Sequence, residues 1–79
     1  MRLLDEETNL PVRRILLLLT KEEAHELRDA LEDCLRQPHG WHSHIPDAEY
    51  EREVTVAIYV PGDLGLFSER VRELIEQDR

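Results

Sequence analysis

The apolar positions of this chain change their spacing as one moves from the N-terminus, and each change predicts an element. Val12 to Leu19 is a stretch of strand length, aliphatic throughout from Ile15, that ends at a helix-start signal. In a strand, Ile15, Leu17 and Leu19 share one face and Leu16 and Leu18 the other. Both faces are aliphatic, which predicts a central strand covered on both sides by this chain or by a second copy.

Thr20-Lys21-Glu22-Glu23 is a capping box, in which hydroxyl and carboxylate each satisfy a backbone amide of the first turn. Behind it Ala24, Leu27, Leu31, Cys34 and Leu35 form one apolar stripe at helical spacing, with Glu22, Glu26, Asp29, Glu32 and Asp33 mostly off it. Pro38 stops this helix and Gly40 permits the exit.

From Trp41 onward the period becomes two. Trp41, Ser43 and Ile45 alternate with His42 and His44, and Pro46-Asp47-Ala48-Glu49 supplies a turn. On the return Val54, Val56, Ile58 and Val60 oppose Glu53, Thr55, Ala57 and Tyr59. The pattern predicts a hairpin with a short strand near 41–45 and a long one near 50–60. Pro61-Gly62-Asp63 breaks the second strand, and Ser68 caps a last helix that turns Val71, Leu74 and Ile75 inward.

The expected architecture is α+β, a two-layer β-α-β-β-α arrangement with a small three-stranded sheet and two helices. Residues 1–11, with a turn-like Asp5 to Asn9 and a Pro11 that cannot donate to a ladder, form a partly ordered N-terminal arm.

Composition narrows the use of such a fold. With 79 residues there is room for one small domain spanning 1–79, whose core alone supplies roughly 3–5 kcal/mol. One cysteine rules out an internal disulfide and fits a reducing compartment such as the cytoplasm. A formal net charge of −8 argues against nucleic acid and anionic membrane surfaces, and leaves a basic protein partner open. The run Ile15 to Leu19 is too short to cross a membrane.

Chemistry concentrates in one place. His39, His42 and His44 fall within six residues, with Asp47 and Glu49 just beyond. On a strand His42 and His44 project from one face, as two ligands of one metal must, and Asp47 or Glu49 offers a third, oxygen ligand for Zn, Mn or Fe. A solvated histidine-rich surface explains the same residues, with Trp41 covering the helix end and Ile45 filling a gap. No substrate, general base or oxyanion site is identifiable, so no catalytic residue is assigned and an enzyme is not the expectation. Cys34 lies on the helix stripe and suits a core position.

Two functions follow. The first is a small acidic interaction or regulatory module of the cytoplasm, a homodimer that binds another protein. It would pair through an apolar sheet face formed by Leu16, Leu18, Ala57 and Tyr59. The alternative is a metal-binding protein, or a small metal-dependent enzyme, built on His42 and His44.

Overall fold

The computed structural model describes all residues except 38–40, 66 and 78–79. Pro38, His39 and Gly40, the expected helix stop and the first histidine of the cluster, therefore lie outside the described residues. The chain is α+β in the order β1 (Leu4–Asp5), β2 (Leu10–Pro11), α1 (Lys21–Arg36), β3 (His42–Pro46), β4 (Glu53–Ala57) and α2 (Glu69–Gln77). It divides into two compact units, one of Met1–Leu17 with the stretch from Phe67 onward, the other Leu18–Leu66.

The second unit is a helix laid on a hairpin. The capping box forms as expected: Glu23 donates its amide to Thr20 Oγ1 at 3.2 Å, and the Thr20 amide donates to Glu23 Oε1 at 2.8 Å. β3 and β4 pair antiparallel, with Ser43 opposite Val56 and Ile45 opposite Val54. Ser43, Ile45, Val54 and Val56 thus share the face turned to α1, where the Cys34 thiol meets Ser43 Oγ at 3.7 Å and the Val56 carbonyl at 3.6 Å. Cys34 and Ile45 are the buried apolar residues among those described.

The loop from Asp47 to Arg52 closes the hairpin. Asp47 Oδ1 accepts the amides of Glu51 at 2.8 Å and Arg52 at 3.1 Å, and Tyr50 takes the left-handed region at φ 57°. Asparagine, aspartate and glycine normally fill that region, and an exposed tyrosine there reflects how tightly the Asp47 contacts fix the loop. After β4, Val60 to Asp63 forms the turn expected from Pro61-Gly62, with Gly62 at φ 91° and Asp63 donating to the Val60 carbonyl.

In the other unit the N-terminal arm is more ordered than expected. β1 and β2 form a two-residue ladder, Leu4 opposite Pro11 and Asp5 opposite Leu10. Asp5 Oδ1 organises the turn by accepting the amides of Glu7 and Thr8, and Asn9 supplies the left-handed residue at φ 60°. α2 starts at Ser68, whose hydroxyl accepts the Val71 amide, and near its end the Arg2 guanidinium bonds the Ile75 carbonyl at 3.2 and 3.3 Å. Val71, Leu74 and Ile75 are half-buried and the charged positions of the helix are exposed, as the pattern required.

Three expectations need correction. The sheet is not three-stranded: the described residues form two separate two-stranded sheets, and residues 12–19 join neither. The second long strand is shorter than 50–60, because the loop held by Asp47 uses residues as far as Arg52 and the ladder ends at Ala57. The helix stripe is only partly covered. Leu27, Ala30 and Cys34 turn inward, whereas Ala24, Leu31 and Leu35 are exposed about 90° further round the helix. A two-stranded hairpin is too narrow for the whole stripe, and the strand that would have widened it is absent.

Removing the cap tests how much α1 relies on local bonding. Thr20→Ala is expected to lower unfolding free energy by about 1 kcal/mol in urea titration, with the denaturant dependence unchanged. A loss below a few tenths would mean that packing alone sets where the helix begins.

Candidate functional site

The alternation along β3 and the register with β4 sort the hairpin into two faces. The inner one packs on α1. The outer one carries His42, His44, Glu53, Thr55 and Ala57, all on exposed or half-exposed positions. His42 and His44 lie edge to face with ring centroids 5.1 Å apart. The expectation that these two histidines share a face is met.

The carboxylates expected beside them lie elsewhere. Asp47 turns to the amides of its own loop and pairs with Arg52 Nη1 at 3.5 Å, while Glu49 sits exposed in the turn. Glu53 takes the place beside the histidines instead: its Oε1 lies 2.6 Å from His44 Nδ1, and Thr55 Oγ1 lies 2.8 Å from the same nitrogen. A carboxylate only accepts, so the bond to Glu53 requires the proton on Nδ1. In the neutral ring the lone pair then falls on Nε2. Among the described residues no three His, Cys, Asp or Glu side chains converge as ligands of one ion.

Glu53 and Thr55 were missed in the sequence because their place depends on register. The loop length sets Pro46 opposite Glu53 and Thr55 opposite His44, which brings Glu53 diagonally onto the imidazole. The alternation already set Glu53 and Thr55 away from the valine face. Matching that outer face to the histidine face across the turn would have found them.

Asp47 is the group whose proton affinity the loop changes. The Arg52 amide is the largest cause that holds its carboxyl below the ordinary aspartate value, helped by the Glu51 amide and the Arg52 guanidinium, with partial burial opposing them. The carboxylate is an organiser of the turn.

The residues expected to form an apolar sheet face are not on one sheet. Ala57 ends β4, Tyr59 follows it half-buried, and Leu16 and Leu18 belong to no strand. Ile15 to Leu19 show 54, 80, 44, 83 and 38% exposure, an alternation of period two that marks an extended run with Leu16 and Leu18 turned furthest into water. Among the described residues, none forms a backbone–backbone hydrogen bond with residues 13–19.

Comparison with known proteins adds no further constraint: no family model, curated protein or solved structure matches the chain. None of the described helices is long and apolar enough to cross a membrane.

The linkage of Asp47 to stability has a defined sign. Its folded-state value is depressed, so its contribution is fully present above the unfolded value of about 3.9 and is lost as pH falls through the folded value. The difference in thermal midpoint between the parent and Asp47→Asn is expected to be constant from neutral pH to about 4 and to shrink below that. A difference independent of pH would show that the charge plays no part in holding the loop.

Proposed function

We propose that this chain is a protein-interaction module that works as a homodimer, assembled through the aliphatic run Ile15–Leu19. One observation carries the proposal: five consecutive large aliphatic residues stand in water on a backbone with no strand partner among the described residues. A chain of this size gains little from its own core, since Cys34 and Ile45 alone are buried among the described apolar residues. Leaving Leu16 and Leu18 exposed forgoes about 1.5–3 kcal/mol for each, which burial against another molecule recovers. The exposed stripe of Leu31 and Leu35 on α1 adds further apolar surface.

The surface left outside such a pair is acidic. Glu22, Glu26, Asp29 and Glu32 are exposed along α1, and the net charge of −8 per chain doubles in a dimer. That charge favours a basic protein as the molecule recognised and disfavours nucleic acid.

A second reading, a transition-metal site, is favoured by the His42–His44 pair with Glu53 fixing the tautomer of His44. Two protein nitrogens leave the remaining positions to water or another molecule, an arrangement weaker than a closed structural site.

Each reading has its own measurement. In sedimentation equilibrium the parent is expected to be a dimer, and Leu16→Glu or Leu18→Glu to raise its dissociation constant about 100-fold or more while the helical signal stays intact. A parent that sediments as a monomer at every concentration ends the first reading. For the second, added Zn²⁺ is expected to raise the thermal midpoint of the parent and to leave the His42→Ala, His44→Ala double variant unmoved. An equal response in both removes the metal.

A further inference from the structure

Resting on the homodimer reading, we propose the way the two copies join: Ile15–Leu19 of each chain pair as antiparallel β-strands about a two-fold axis through Leu17. The leucines of this run cannot be buried without also drying the backbone that carries them. Dry amides and carbonyls need partners. Strand pairing satisfies both demands at once, and the partner of matching shape and length is the same segment of another copy.

Symmetry fixes the possible registers. Two identical antiparallel strands related by an axis normal to their ribbon place one residue opposite itself. With Leu17 on the axis, Ile15 faces the partner's Leu19 and Leu16 faces the partner's Leu18, so all five aliphatic residues meet aliphatic residues. Moving the axis to Leu16 sets Arg14 opposite the partner's Leu18 and Arg13 opposite the partner's Leu19. Moving it to Leu18 sets Ile15 opposite the partner's Lys21, where α1 has already begun. Of these three only the Leu17 register sets every aliphatic residue against an aliphatic one; at its margins Arg13 comes level with the partner's Lys21, where α1 has already begun.

No carboxylate interrupts the line of pairing. From Leu10 to Lys21 there is no carboxylate, and Arg13, Arg14 and Lys21 flank the run. The acidity of the chain is therefore kept away from the line where two copies would meet. The alternation of exposure agrees with the geometry: Leu16 and Leu18, the most exposed, form with their two symmetry mates one cross-strand cluster of four leucines.

Cysteine cross-linking of the full chain tests the register. Leu17→Cys brings two thiols opposite each other, within the reach of a disulfide. Leu16→Cys or Leu18→Cys leaves each residue offset from its own copy by about 8 Å, beyond the roughly 7 Å a bridge tolerates. Under mild oxidation the linked dimer is expected at least ten-fold more at position 17 than at 16 or 18. Equimolar Leu16→Cys and Leu18→Cys chains are expected to link to each other. The parent, whose Cys34 is buried, is the blank. A dimer in native mass spectrometry that fails to link at 17, or links equally at all three positions, overturns the strand pairing and leaves the homodimer standing. A monomeric parent overturns both.

Discussion

A stretch of backbone in water keeps its amide and carbonyl groups solvated at no cost, but five large aliphatic side chains on that stretch pull the other way. Ile15 to Leu19 hold both conditions at once, and much of the rest of the chain follows from how that conflict is left unresolved. The run does not enter the β3–β4 sheet, so the hairpin stays two strands wide. Two strands cover one side of α1, where Cys34 is buried, and leave Leu31 and Leu35 in solvent. Isolated two-stranded ribbons are marginal in water, and this one is held by the helix packed on its inner face.

What was legible in the sequence is what short-range physics determines. Thr20 and Glu23 announce a capping box that needs no tertiary contact to form, and it forms. Ser68, Pro61-Gly62 and the alternation from His42 to Ile45 are equally local, and each yields its expected element or facing. What could not be read depends on pairing across distance. Val12 to Leu19 has the composition of a central strand, but a strand needs a neighbour, and composition does not say which one. The half-burial of Ala30 in place of Leu31 shows the same limit: the helix lies with its covered face rotated from the stripe the spacing predicted, and only Leu27 and Cys34 of that stripe turn inward.

The histidine face illustrates the same limit at the scale of one side chain. Spacing alone placed His42 and His44 together, since residues two apart on a strand share a face. Proximity along the chain points to Asp47 and Glu49 as the carboxylates beside them. The loop instead recruits Asp47 into its own amide network, and the ladder delivers Glu53 from the opposite strand. The side chain nearest in sequence was the one already committed to making the turn.

The two functional ideas are therefore independent in their physics. The proposed self-association draws chiefly on aliphatic burial and backbone pairing at Ile15–Leu19, which do not themselves depend on charge. Recognition of a basic partner, or of a metal, draws on exposed carboxylates and imidazoles on α1 and the hairpin, where screening and protonation act directly. A chain too small to stabilise a large core separates the two tasks along its length. In the proposed dimer an uncharged aliphatic run flanked by Arg13, Arg14 and Lys21 would join the copies, leaving the acidic and histidine-bearing surfaces to meet something else. Were the acidic residues instead distributed through the run, each copy would repel its twin where backbone pairing requires the closest approach, about 5 Å between strands.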